Sequence, residues 1–253
     1  YSECGEVQVD MKFQKKIILV YMIFSIIVTG IFGAVYYVMS VRQSRAREYN
    51  SIRAISDVKM EKMEDTLEGM SSVITYFLSD VDILDALQEL AQMEAKSYEE
   101  LYYDKAASVI RIKLSTYYLI DEYYRVIVFN KKGNVVSNTN YAGTTLDENA
   151  DYNSFPWNTQ VNGKGGNNVI LGLHKDDWGR KKEVQVLSIV KEIQGMDMGY
   201  VEVQQNQEAL DKMIENEAEG IKYIFMTREG NLIYTNDGSI GVIDFNRWEI
   251  GDP

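Results

Sequence analysis

Residues 17–39, IILVYMIFSIIVTGIFGAVYYVM, run uncharged and apolar for roughly the 20 residues that a helix needs to cross a bilayer. No other feature constrains the chain as much. A core helix of a soluble domain seldom stays uncharged for so long. A cleaved signal peptide has a shorter apolar run ending in small residues, whereas this one passes into SVRQSRAREY. Tyr36 and Tyr37 sit toward its outer end, where interfacial rings are favoured. A retained transmembrane helix over 17–39 is therefore expected.

Orientation is less constrained. Lys12, Lys15 and Lys16 flank one side and Arg42, Arg45 and Arg47 the other, so the positive-inside count is close to a tie. A short basic N-terminal segment (1–16) before a long acidic domain favours a cytoplasmic N-terminus with the domain outside the cell. The ten residues before Met11, YSECGEVQVD, read as a tag or an upstream translation artefact. Cys4 lacks the preceding apolar run of a lipoprotein signal and is given no role.

The remainder is long enough to bury a core: of 253 residues, 45% are hydrophobic and 25% charged. A formal net charge of −12 argues against a nucleic-acid partner and against a domain lying on anionic lipid. One Cys and one His exclude an intrachain disulfide and a Cys/His zinc site.

From Arg42 to about Gln92 there is no Pro, and apolar residues recur at Met60, Met63, Leu67, Met70, Ile74, Phe77, Val81 and Leu84. Steps of three and four are the rhythm of a helix seam. One long stalk helix is expected, packed on its own domain, paired with a second copy, or both at different heights. The stretch 98–120 is predicted as another helix. VIVFNKKGNVVSNT (126–139) is a β-hairpin whose Gly133 supplies a positive φ. VILGLH, VQVLSIVKEI and YVEVQQ follow as an antiparallel meander, and NQEALDKMIENEAEG (206–220) as a helix stopped by Gly220. YIFMTREGNLIYTN (223–236) then repeats the first hairpin, with Gly230 on Gly133. The fold class is α+β, with two related sheet units in tandem. The second has only two clear strands, too little to bury a sheet face, and reads as incomplete.

Candidate chemistry is sparse. His174 has no evident nucleophilic or relay partner in the sequence and reads as a strand-end histidine. VNGKGGNN (161–168) lacks the Ser/Thr and the following helix of a phosphate loop, and reads as a turn. Asp80, Asp82 and Asp85, with Asp176 and Asp177, read as solvated acids rather than a metal site. No catalytic residue and no metal is expected. More suggestive are the aromatics in irregular segments, Tyr141, Tyr152, Phe155, Trp157 and Trp178, which could wall a small-molecule pocket. Arg125, Ser137, Asn138, Ser188 and Glu202 could supply its polar groups.

This layout resembles the double Cache sensors, PAS-like extracytoplasmic modules of bacterial receptors. YRVIVFNKKGNVVSNTNY, PW, GLHKDDWG and SIVKEIQG…MGYVEVQ look closest to membrane sensor histidine kinases of Gram-positive bacteria. The resemblance implies a stalk and membrane-distal unit over 40–205 and the start of a membrane-proximal unit over 206–253. The heptad seam of the stalk, Met63, Leu67, Met70, Ile74, Phe77, Val81 and Leu84, is the expected contact of a homodimer. A kinase core and a response-regulator partner would belong to residues beyond these, with ATP and Mg needed only there. A chemotaxis receptor, a cyclic-dinucleotide enzyme or a membrane transcription regulator could carry the same sensor, and a membrane-anchored hydrolase is a more distant alternative. Amino-acid-binding members carry an Arg two residues before the Trp and an Asp after the last distal strand. Here Phe155 and Gln204 stand in those places, so a sugar or other neutral solute, or a solute-binding protein, is expected instead.

Overall fold

The computed structural model describes residues 3–117, 120, 122–138, 146–147, 149–180, 183–195, 197–214 and 222–237, with side chains from Phe13 onward. It divides into two compact units, Tyr1–Val58 and Lys59–Pro253. The first is the leading part of helix α1 (Glu3–Phe77). An 18-residue window in it has a mean hydropathy of 2.5, and none of that window is buried. Ile18, Phe24, Ile26 and Phe32 all stand exposed, which suits a helix surrounded by lipid and not one inside a protein core.

In the second unit the expected unbroken stalk stops short. Helix α1 ends at Phe77, and α2 (Val81–Gln92) begins afresh. The break lies at Asp80, whose carboxylate accepts the backbone N–H groups of Asp82 (3.0 Å) and Ile83 (3.4 Å). An aspartate placed so ends one helix and caps the next. Lys113 donates to Asp80 at 2.6 Å and to Asp82 at 3.2 Å, holding the corner against α4 (Lys105–Thr116). The helix predicted over 98–120 is split in the same way. Ser97 and Glu100 form a capping box on α3 (Tyr98–Tyr102), and Asp104 caps α4 through Ala106 and Ala107.

The seam residues divide. Met63, Met70, Ile74 and Phe77 are buried within the single chain, whereas Val81 is 69% exposed and Met60 45%. The four buried ones belong to the chain's own core, so a second copy could reach only the rest.

Five strands form one antiparallel sheet in the order β2-β1-β5-β4-β3. They are β1 (Arg125–Phe129), β2 (Val135–Ser137), β3 (Asn168–Lys175), β4 (Gln185–Glu192) and β5 (Tyr200–Asn206). Hairpin and meander thus form as the period-two pattern predicts. Helix α5 (Asn158–Val161) and a 3-10 turn (Tyr152–Ser154) lie between β2 and β3. Helix α6 (Gln207–Ile214) follows β5; the rest of the helix predicted to Gly220 lies outside the described residues.

The second hairpin, β6 (Ile224–Met226) and β7 (Leu232–Thr235), makes a separate two-stranded sheet. Its turn copies the first. Gly133 N–H donates to Asn130 O and Gly230 N–H to Thr227 O, at 3.1 and 3.0 Å. Asn130 Oδ1 accepts the N–H of Asn134, and Thr227 Oγ1 that of Asn231. Both glycines have φ near +90°, at 97° and 89°, where any side chain is disfavoured.

Alternation gives the large sheet two buried faces. Val126, Val128, Val201, Val203, Leu187 and Ile189 point to one, toward a helical layer in which Leu87, Leu90, Ile110 and Leu114 are buried. On the other, Ile127, Phe129, Val190 and Tyr200 pack under Leu146, Tyr152, Phe155, Trp157, Leu171 and Trp178 from the connecting segments. Phe129 is the hub, with ring centroids of Tyr152, Trp178 and Tyr200 at 4.7, 4.9 and 5.1 Å.

Candidate functional site

The strand register sets polar side chains side by side on the aromatic face. Arg125 of β1 lies opposite Gln204 of β5, and Gln204 opposite Ser188 of β4. Glu202, two residues from Gln204, shares their face. All four are fully buried. Buried polar groups have to be paired, and these are. Arg125 Nη1 donates to Asp176 Oδ1 at 2.7 Å and to Gln204 Oε1 at 3.1 Å. Gln204 Nε2 donates to Glu202 Oε1 at 2.8 Å, so its amide joins an ion pair to a lone carboxylate. Glu202 also accepts from Ser188 Oγ (2.8 Å) and from the Trp178 indole (2.7 Å).

Electrostatics differ along this row. Asp176 and Arg125 neutralise each other, with 1% and 0% of their side chains exposed. Gly179 N–H also donates to Asp176 Oδ1, and a Cβ at Gly179 would run into Asp176 Oδ2. Among the described residues no Lys or Arg pairs with Glu202 in this way, and burial pushes its carboxyl up, opposed by the nearby His174 and by its three donors. Burial likewise pushes up the Tyr152 phenol, which donates to Asn162 Oδ1 at 2.9 Å.

His174 has a neighbour that sequence did not reveal. Its Nε2 lies 3.5 Å from Ser188 Oγ, and its Nδ1 lies 2.8 Å from Gly172 O. A serine, a histidine and a carboxylate therefore meet, but not in the wiring of a nucleophile. The carboxylate accepts the serine's hydrogen bond instead of orienting the imidazole, and Ser188 is fully buried. The acids read as solvated have definite partners too: Asp177 accepts the Trp157 indole at 3.0 Å, and Asp176 is paired with Arg125.

A cleft of about 80 Å³ opens at the rim of this face. Tyr98 and Leu101 of α3, Val135, Leu146 and Trp178 form its walls, with Lys96 and Asp147 among its polar groups. Among the described residues predicted to bind a ligand, only Trp178 reaches the cleft. Arg125, Ser188 and Glu202 lie in the buried row, and Tyr152 and Trp157 in the aromatic core. Asn138 accepts the Val126 N–H at 2.8 Å beside Ser137, extending the β1–β2 ladder. Tyr141 lies outside the described residues. Sequence reading missed Asp176 as the partner of Arg125 and Gln204 as the bridge. The alternation in VEVQ, which puts Glu202 and Gln204 on one face, was the signal available for the second.

No family model and no curated protein sequence matches the chain. Among solved structures, it is similar to the ligand-binding domain of the Pseudomonas fluorescens chemoreceptor CtaA in complex with L-serine. That match has 14% identity and a TM-score of 0.48, covering 74% of this chain and 72% of that one. The ligand-binding domain of the Pseudomonas aeruginosa amino acid chemoreceptor PctC with GABA matches at 14% identity and a TM-score of 0.45, covering 73% of each chain. That of the Campylobacter jejuni chemoreceptor Tlp3 with L-norvaline matches at 15% and 0.40, covering 74% and 75%.

Proposed function

We propose that this chain is the ligand-sensing extracytoplasmic region of a bacterial membrane receptor, anchored through residues 17–39. The observation that carries this reading is the cleft at Trp178, because the indole in its wall is hydrogen-bonded directly into the buried row at Glu202. A solute seated there would alter the contacts of Trp178 and, through it, the polar face of the sheet. A ligand acts on such a domain only by binding its two arrangements unequally.

The ligand is a small polar solute without strong charge: polar groups share the lining with aromatic and aliphatic side chains, Lys96 of that lining is already paired with Asp104, and the arginine of the sheet face is paired with Asp176. The parent receptor is read as a sensor histidine kinase, on the resemblance of its hairpin and meander motifs. It would dimerise through the part of the helical seam left exposed, with ATP, Mg and a response regulator engaged by a kinase core outside these residues.

The test is a thermal-shift screen of the full chain in lipid nanodiscs against sugars, amino acids and organic acids. A ligand present at 100 times its Kd stabilises by about 2.7 kcal/mol. Sugars or other neutral solutes should raise the melting temperature, and Ala150→Phe, which fills the cleft, should abolish the rise. A shift that survives Ala150→Phe places the ligand elsewhere, and a screen in which no class shifts the transition overturns the reading.

A further inference from the structure

Around Ser188 there are more acceptors than hydrogens to fill them. The Gly172 carbonyl only accepts, so His174 Nδ1 at 2.8 Å carries a hydrogen, and Nε2 of the neutral ring is an acceptor. Ser188 has one hydroxyl hydrogen and two acceptors beside it, Glu202 Oε1 at 2.8 Å and His174 Nε2 at 3.5 Å. It cannot serve both. One added proton completes the line in either of two ways. On Glu202, the acid O–H donates to Ser188 and Ser188 donates to Nε2. On His174, Nε2–H donates to Ser188 and Ser188 donates to the carboxylate.

We propose that Glu202, Ser188 and His174 form a binding site for a single proton shared between carboxylate and imidazole, and that its uptake is transmitted to the second hairpin through Gly172. His174 follows a register shift in β3 after Leu171. The Gly172 carbonyl that holds its ring belongs to a residue whose missing side chain makes room for the Leu232 carbonyl of β7. Ring position and hairpin seat are thus set at one residue. Among the described residues, β5 presents Glu202 to the ring, and β4 presents Ser188 beside Val186. The segment after β3 brings Asp177, held by the Trp157 indole, with Trp157 meeting the imidazole edge-on at 6.2 Å. On β3 itself Lys175 is exposed, and Asp176 just beyond it is paired with Arg125. Hairpin β6–β7 contributes backbone at Leu232. Burial of Glu202 favours the protonated acid. None of this depends on the cleft binding a solute.

The chain offers clean reporters: one histidine, and a Trp178 indole N–H bonded to Glu202, among three tryptophans. NMR of the full chain in nanodiscs, with labelled His and Trp, follows both across pH. The imidazole and the Trp178 indole signals should move in one common step. Ser188→Ala should split it into two separate responses, and Glu202→Gln, which keeps the size of the side chain, should leave the indole unresponsive. Gly172→Ala, which pushes on the hairpin, should displace the common midpoint, because linkage is reciprocal. An indole signal that stays fixed while the imidazole signals move overturns the shared site, as does an indole signal that still responds to pH in Glu202→Gln. A midpoint unmoved in Gly172→Ala overturns the hairpin link.

Discussion

The two faces of the central sheet are equally dry but are held differently. The face carrying Val126, Val128, Leu187, Ile189, Val201 and Val203 gains stability simply by leaving water, at about 25 cal/mol per Å² of apolar area. The opposite face buries Arg125, Asp176, Glu202 and Gln204, whose removal from water is unfavourable until each hydrogen bond is made. The first face tolerates small shifts without changing character. The second is all or none: losing one partner leaves another stranded. The alternation of the strands thus separates a side held by apolar burial from a side that a single lost partner can tip.

The largest expected effect breaks the polar face. Asp176→Ala leaves Arg125 buried without its counter-charge, and removing one partner of a buried pair costs about 3–5 kcal/mol. Replacing both, as Arg125→Met with Asp176→Leu, should recover most of that loss in denaturant unfolding followed by tryptophan fluorescence. Recovery would mean that the pair specifies geometry more than it stabilises. On the apolar face, Leu187→Ala removes a fully buried side chain and should cost about 2–5 kcal/mol. Its loss should be the same at every pH, which the polar face should not match.

That difference can be sharpened at Glu202. A carboxyl raised above its ordinary 4.5 binds a proton more readily in the folded chain than in the unfolded one. Stability from this group is therefore greatest at low pH and falls as pH rises from about 4.5 toward the raised value. Glu202→Gln should flatten that slope in unfolding experiments run across pH. A slope unchanged in the variant would assign it to another group.

What could be read from sequence follows from how local each feature is. The apolar run at 17–39, the two hairpins and the meander depend on composition and period-two alternation, and each formed where expected. The breaks at Asp80 and Asp104 were not legible. An aspartate inside an apolar 3–4 rhythm is only mildly unfavourable in a helix, and its capping role emerges when Lys113 or Lys96 arrives to hold it. The seam from Met63 to Phe77 was legible as apolar, but its partner was not, because a helix stripe fits a sheet or a second copy alike. The polar row was half legible. VEVQ places Glu202 and Gln204 on one face, yet nothing in the sequence says that Asp176, 51 residues from Arg125, would cross to meet it.

The smallest effect tests the apolar side for any pH dependence of its own. Asp104 caps α4 in the helical layer, accepting from Ala106 at 2.9 Å and Ala107 at 3.2 Å, with Lys96 Nζ at 2.6 Å. Burial pushes its carboxyl up, but the Lys96 ammonium and the two backbone donors outweigh this and hold it below the ordinary 3.8. The sign is thus opposite to that of Glu202: the contribution is full above pH 3.8 and disappears as pH falls through the lowered value. Asp104→Ala should cost about 0.5–2 kcal/mol at neutral pH, the usual loss for a helix cap. Asp104→Asn keeps a capping oxygen but no charge, so it should lose less and should not weaken further in acid. If stability at neutral pH fell equally in both variants, the Lys96 pair and not the cap would be holding the corner. If neither variant changed the acid limb, the helical layer would be free of titrating support at this position, and the contrast between the two faces would be sharper still.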